Sequence, residues 1–440
     1  DSLIRPGMYL FVLPPKNVYF EFLIDKNNQV FSLETDSVDM AGKMKVTGSP
    51  ENQGFFRSIQ FLGEKRKRMD EIQRGIKEAG TDSVIIKKLQ KEAQSIDDEV
   101  KNMRTKAVKD NANNIYGAII RATTEPEVPP APKDAATGKP LDPDFAYHYY
   151  KGHFWDGINF TDESLLRTPL LQQKIDYYLD KLVAPIPDSI NKEVDPICLK
   201  TITNKEMYKY FVVTILNKYA NSKRMGDDAV YVHMVDEYYI KRAPFWSDSA
   251  QTRKIIDRAN ALRWTLIGAD APPLSILDMN DNRVTMRDVP ADWTILYFWD
   301  YDCGHCKKVT PRLQKVADYY LNTKKANIKF YTVDINGTRE KFKEAVKEYK
   351  LDMPGVINTA DPRRETGFDR MYDILSTPRI LVLDKDKKIR YKYISAKQLD
   401  EILNHELYKG NGSLILTEAD EDKHDEDKHE GVPPPLPIKE

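Results

Sequence analysis

Cys303 and Cys306 bracket Gly304-His305, a spacing at which one helical turn brings two sulfurs within reach of a disulfide. The pair follows an apolar run at 293–299 and precedes Val309, Leu313, Val316 and Tyr320, which recur at helical spacing to about residue 321. A strand feeding a helix leaves Cys303 at the helix start, where unpaired N–H groups and the positive end of the dipole stabilise a thiolate. Such a thiolate attacks a partner protein. Cys306, one turn on, closes a Cys303–Cys306 disulfide and resolves the mixed intermediate. His305, when protonated, adds positive charge beside the nucleophile, whereas Asp302 opposes it, so the direction of exchange is not legible in these residues.

The chain has 3 cysteines, too few for a disulfide-stapled scaffold. The third, Cys198, stands in Pro196-Ile197-Cys198-Leu199 and reads as a small buried hydrophobe. A structural zinc site needs four ligands, and no second Cys-x-x-Cys occurs; His148, His153 and His233 have no ligand spacing. Neither a metal nor another cofactor is expected. A peroxidase of the peroxiredoxin kind would carry threonine or serine three residues before its reactive cysteine, where this chain has Asp300.

The elements that position the pair belong to a multi-domain chain of 440 residues, too long for one ordinary core. Short extended runs at 8–13, 18–24, 30–33 and 43–46, separated by turn formers, predict a small antiparallel β-region within 1–54. So few strands make a thin core, and earlier strands are expected to be missing. Apolar residues at spacings of three and four over 55–76 and 86–107, broken by Gly80-Thr81-Asp82, predict a helical hairpin within 55–122 whose seam packs on its own partner helix rather than making a coiled-coil dimer. Residues 123–143 are rich in proline and alanine and read as a linker. A helical middle domain, 144–266, contains helices near 170–182, 205–219, 227–239 and 249–264; its aromatic cluster, Tyr147 to Tyr150 with Phe154 and Trp155, reads as core before it reads as a binding groove.

From 267 to 410 strands at 293–299, 328–335, 379–384 and 389–394 alternate with helices at 304–321, 341–349, near 368–375 and at 396–403, the pattern of an α/β sheet covered by helices. Residues 411–440 read as a disordered tail, with the tandem Asp420-Glu421-Asp422-Lys423-His424 and Asp425-Glu426-Asp427-Lys428-His429 solvated rather than holding metal. The formal charge of -1 gives no field that would favour nucleic acid or an anionic membrane. No run approaches the roughly 18 apolar residues of a membrane helix. The chain begins at Asp1 without a methionine or leader, as expected of a processed precursor or a cut from a longer one.

Residues 267 to about 403 resemble the thioredoxin-like thiol-disulfide oxidoreductases of bacterial envelopes, the TlpA-like group. The resemblance rests on Gly268-Ala269-Asp270-Ala271-Pro272, Leu296-Tyr297-Phe298-Trp299, Cys303-Gly304-His305-Cys306-Lys307, Pro311 and Ser376-Thr377-Pro378. It implies a thioredoxin fold in which Trp299 shapes the site, Pro311 kinks the helix, Pro378 is a cis-proline facing the disulfide, and Thr377 offers backbone hydrogen bonds to a bound peptide strand. Where many thioredoxins have a buried aspartate serving the resolving cysteine, this chain has Tyr297, so that base is absent or supplied elsewhere. The first two-thirds of the chain is more loosely similar to the N-terminal regions of envelope thioredoxin-like lipoproteins, through Gly7-Met8-Tyr9 and Gly48-Ser49-Pro50-Glu51-Asn52. That likeness implies a periplasmic or outer-membrane-associated location, with attachment through a removed N-terminus.

The expected function is thiol-disulfide exchange with envelope proteins, whose thiols and disulfides are the substrates, and with a redox partner that recycles the pair. The alternative is a binding or scaffold protein carrying a vestigial thioredoxin fold.

Overall fold

The computed structural model describes residues 3–14 and 17–417; the acidic, histidine-containing repeat of the expected tail lies outside the described residues. The chain forms two compact units, one of residues 1–185 with 192–211 and one of residues 186–191 with 212–440.

In the first unit β1 (Gly7–Leu13) and β2 (Val18–Ile24) pair antiparallel, as do β3 (Ser32–Glu34) and β4 (Lys45–Thr47), giving two separate two-stranded sheets. Ser49 then starts α1 (Pro50–Glu78), its side chain accepting from the Asn52 N–H while Pro50 supplies a φ already suited to the first turn. Asn52 is fully buried and ties this helix to the hairpin, accepting from the Leu23 N–H and donating to the Leu23 carbonyl, both at 2.7 Å. Gly80, at φ +56°, turns the chain, and Asp82 caps α2 (Ser83–Asp110). The two helices form the expected hairpin. Ile72 and Ile96 are buried, and Arg68 meets Glu92 at 2.7 Å across the seam.

α3 (Ile115–Thr123) is buried along most of its length, and the Asp25 carboxylate accepts from the Ile115 N–H. α4 (Phe145–His153), α5 (Leu170–Tyr177) and α6 (Pro187–Lys200) follow. Phe154 and Trp155 are buried and meet edge to face, so this end of the aromatic cluster is core, whereas Tyr147 is exposed and Tyr149 and Tyr150 are half-buried along α4.

α7 (Lys205–Ala220) continues into the second unit, with α8 (Asp228–Val235) and α9 (Ser249–Arg263). After the small β5–β6 ladder (Ser275–Leu277 and Arg283–Thr285) comes a five-stranded mixed sheet. Its central strand β7 (Trp293–Trp299) leads into α10 (Gly304–Asp318) and β8 (Ile328–Asp334). Next come α11 (Arg339–Glu348), β9 (Val356–Ala360) and the single turn α12 (Phe368–Met371). β10 (Arg379–Leu383), β11 (Ile389–Lys392) and α13 (Ala396–Tyr408) complete the domain. The sheet order is β11-β10-β7-β8-β9, with β7, β8 and β9 parallel and β10 antiparallel to β7.

Alternation along β7 divides the core into two layers. Ile295, Tyr297 and Trp299 pack with residues of α10, α11 and α13 on one face. Leu296 and Phe298 pack with Phe368 and Tyr372 on the other. The helices α8 and α9 are bound to this domain by buried ion pairs: Lys392 bonds Asp228 and the Thr265 carbonyl, and Arg258 bonds Asp373. Residues 413–416, expected in the tail, instead close the core. Asp400 accepts from the Ile415 and Leu416 N–H groups at 2.7 and 3.2 Å, and Leu416 is buried, because a fully buried carboxylate needs these donors.

Candidate functional site

β7 is apolar throughout and is held between β8 and β10, so its C-terminal end is a fixed point from which the site is built. The chain leaves it at Asp300 and turns through Asp302 to Cys303, which occupies the N-cap position of α10 with extended backbone, φ −72° and ψ 122°. No side chain caps this helix, so the first-turn N–H groups face the Cys303 sulfur's surroundings rather than a serine or aspartate oxygen. Pro311 lies within α10, which continues through it to Asp318.

The two thiols are unbridged and differ in access. Cys303 is partly exposed, whereas Cys306 is 1% exposed and belongs to the core layer that contains Trp299. Burial pushes the Cys306 thiol up to about 12, against the opposing pull of the Asp300 N–H and the Thr377 hydroxyl. The Asp300 N–H donates to Cys306 Sγ at 3.4 Å. The Cys303 thiol donates to the Thr377 carbonyl, also at 3.4 Å. The Thr377–Pro378 peptide bond is cis, and both residues are partly exposed beside Cys303.

His305 is exposed on the first turn of α10. Trp299 is fully buried, its ring stacked near Tyr297 and edge-on to Tyr349 at 6.0 Å, so it floors the site rather than lining its mouth. Asp302 pairs with Lys341 at 3.4 Å, which offsets part of its charge next to Cys303. Tyr297, at the position noted above for a buried aspartate, shares a 2.8 Å hydrogen bond between its hydroxyl and that of Thr310.

Sequence reasoning passed over Asp334. It is the last residue of β8, lies opposite Trp299 in the parallel register, and is fully buried. Burial raises its carboxyl from an ordinary 3.8 to about 6, and the nearby Asp300 charge pushes the same way. The signal in the sequence is a carboxylate closing the largely apolar strand Ile328-Lys329-Phe330-Tyr331-Thr332-Val333. Among the described residues no group of three or more histidine, cysteine or acidic side chains is arranged to hold a metal ion.

Chemically, a partly exposed sulfur at a helix start, bonded to the Thr377 carbonyl, and a buried sulfur one turn inside form an arrangement suited to two-step disulfide exchange.

Comparison with known proteins agrees with this chemistry. Residues 292–389 match a family model described as thioredoxin-like, and residues 87–263 match one described as a domain of unknown function, DUF5106. A thiol-disulfide oxidoreductase ResA of Bacillus thuringiensis subsp. konkukian is 26% identical over 143 residues, covering 32% of this chain and 78% of that protein. A ResA of Bacillus cereus is 24% identical over 136 residues, covering 31% and 74%. Among solved structures, a thioredoxin-like protein from Bacteroides caccae is 16% identical with a TM-score of 0.47, covering 63% of this chain and 99% of its own. A domain of a possible thiol-disulfide isomerase from Cytophaga hutchinsonii is 35% identical with a TM-score of 0.29, covering 33% and 95%.

Proposed function

We propose that this chain, whose C-terminal domain is thioredoxin-like and related to thiol-disulfide oxidoreductases, exchanges disulfides with protein substrates through Cys303 and Cys306. The observation that carries the reading is the inequality of the two sulfurs: Cys303 is partly exposed at the start of α10, and Cys306 is buried a turn inside. In the reductive direction the Cys303 thiolate attacks a substrate disulfide, forming a bond to one substrate sulfur and releasing the other as a thiolate. Cys306 then attacks Cys303, the substrate sulfur leaves with its electron pair and takes a proton, and the pair is oxidised to a disulfide. The reverse sequence oxidises a substrate dithiol. Trp299 packs under the pair, Thr377 and Pro378 present backbone to an extended substrate segment, and His305 adds positive charge at the mouth when protonated.

The proposed setting is the periplasm or the outer membrane of a bacterium, with envelope proteins as substrates and a separate redox protein recycling the pair. The support is the sequence resemblance to envelope oxidoreductases. Insulin reduction in dithiothreitol tests the activity: turnover above the uncatalysed rate, with Cys303 alkylated faster than an ordinary free thiol, is the expected result. No turnover, together with ordinary alkylation, would favour the scaffold reading instead.

A further inference from the structure

A cavity of about 230 Å³ opens beside the α7–α8 connection, α9 and the end of β11, and none of its lining residues belongs to the dithiol site. Much of its wall is apolar. Met225, Leu262 and Ile394 contribute aliphatic surface, and Tyr219, Tyr231 and Tyr393 contribute rings. The Tyr231 hydroxyl donates to the Ile255 carbonyl at 3.4 Å and the Tyr393 hydroxyl to the Tyr372 carbonyl at 3.0 Å, so the polar tips of those two rings are spent on backbone. An apolar cavity of about 150 Å³ is enough for benzene, so the space here admits a benzene ring carrying a short polar arm.

The charged groups on the wall are not equivalent. Lys392 bonds Asp228 and the Thr265 carbonyl, and Arg224 clasps Asp227 with two nitrogens, at 2.8 and 2.7 Å. Arg258 is different. Its side chain is only 16% exposed, and its one hydrogen bond among the described residues runs from Nη1 to Asp373. A guanidinium carries several further N–H donors, and taking them out of water without partners is costly. Yet no Arg258 nitrogen is among the sealed-off atoms that lack a partner, so the unspent donors open onto space, and the space that Arg258 lines is this cavity. A planar fork of N–H groups matches the two oxygens of a carboxylate.

Charge narrows the ligand further. The pairs Lys392–Asp228, Arg258–Asp373 and Arg224–Asp227 cancel, and Asp228 shares the wall with Arg258. One negative charge suits the unspent donors, whereas the second charge of a phosphate monoester would meet repulsion from Asp228.

We propose that this cavity is a binding site for a small monocarboxylate with an aromatic body, its carboxylate held by Arg258 and its ring packed among Leu262 and the tyrosines. The site is separate from Cys303 and Cys306 and does not depend on the disulfide-exchange reading.

The test is titration calorimetry of the full chain with phenylpropionate, its uncharged amide and benzyl phosphate. We expect saturable binding of the acid at sub-millimolar concentration, with the amide and the phosphate each weaker by about tenfold or more. Arg258→Lys keeps a positive charge for Asp373 but loses the fork, and should weaken the acid by about tenfold while leaving the amide unchanged. Ala220→Phe adds a ring to the cavity wall without removing a charge, and should abolish binding of all three. Wild-type protein that takes up no phenylpropionate at millimolar concentration would overturn the proposal. So would equal affinity for acid and amide, or tighter binding of the phosphate. Should Arg258→Lys not fold, those wild-type comparisons and Ala220→Phe decide: unaltered binding in folded Ala220→Phe would place the ligand elsewhere and be equally fatal.

Discussion

The Cys303 thiol meets the carbonyl oxygen of Thr377 at 3.4 Å, joining the start of α10 to the residue just before Pro378. A substrate sulfur bonded to Cys303 must therefore lie beside that exposed backbone, while Cys306 waits underneath, 1% exposed. Replacing Cys306 with serine should leave the first attack intact and remove resolution, so mixed disulfides with substrate proteins accumulate. Replacing Cys303 should remove them, and insulin turnover should fall to background in both variants. Non-reducing electrophoresis after alkylation reads this directly. Adducts on the Cys303 variant and none on the Cys306 variant would reverse the roles.

Asp334 also makes a statement about stability. Its carboxyl is raised from 3.8 to about 6 in the folded protein, so the native state holds a proton that the unfolded chain has released over that interval. Stability linked to this group is present below pH 3.8 and is lost as pH rises through about 6. At pH 7.5 the buried charge then costs up to about 3 kcal/mol. Asp334→Asn should accordingly be more stable than wild type at pH 7.5 by up to that amount, with the gain vanishing near pH 4, as measured by urea midpoints. A variant less stable at pH 7.5 would contradict the expectation.

The ion pair of Lys392 and Asp228 joins β11 to α8 with both side chains largely out of solvent, 4% and 16% exposed. Burial lowers the Lys392 ammonium's affinity for its proton, and Asp228 opposes that effect. Removing one partner strands the other charge, so Asp228→Ala should cost about 3–5 kcal/mol in denaturant unfolding. Adding Lys392→Met to it should recover most of the loss, since no uncompensated charge then remains. A single variant as stable as wild type would show that Thr265 alone satisfies the ammonium.

The redox domain was legible because its pattern is dense: Ile295, Tyr297 and Trp299 alternate with Leu296 and Phe298, and Val309, Leu313 and Val316 line one helix face. Other parts were hidden for physical reasons. β9, Val356-Ile357-Asn358-Thr359-Ala360, has buried Asn358 and Thr359, so it carries no apolar alternation; the side chains satisfy one another across the sheet, Thr332 donating to Asn358 at 2.9 Å. α6 runs through Pro196, a residue that reads as a helix breaker. The tie between α8, α9 and β11 depends on Asp228, Arg258, Asp373 and Lys392, which sequence places far apart and which look like solvated charges until the fold buries them. In the site itself the cysteine pair and Pro378 stood out by motif, whereas Asp334 became visible only through its register with Trp299.

Two glycines inside helices separate local propensity from tertiary space. Gly63 in α1 and Gly117 in α3 both have helical neighbours, and replacing either with alanine should stabilise the helix by about 1 kcal/mol on propensity alone. Their surroundings differ. A Cβ at Gly63 would meet nothing within 4 Å, so Gly63→Ala should realise that gain. A Cβ at Gly117 would run into the carbonyl group of Asn111, which is backbone and cannot rotate away. Nor can α3 shift easily: Asn114 accepts from the Gly117 N–H at 3.0 Å, Asp25 holds the Ile115 N–H, and the flanking Tyr116 and Ala118 are buried. Gly117→Ala should therefore destabilise the protein by about 3 kcal/mol, the upper end of overpacking costs, despite its better intrinsic propensity. Thermal unfolding of the two variants beside wild type measures the contrast. Equal shifts in the same direction would mean that propensity governs both positions and that α3 has room the packing denies it.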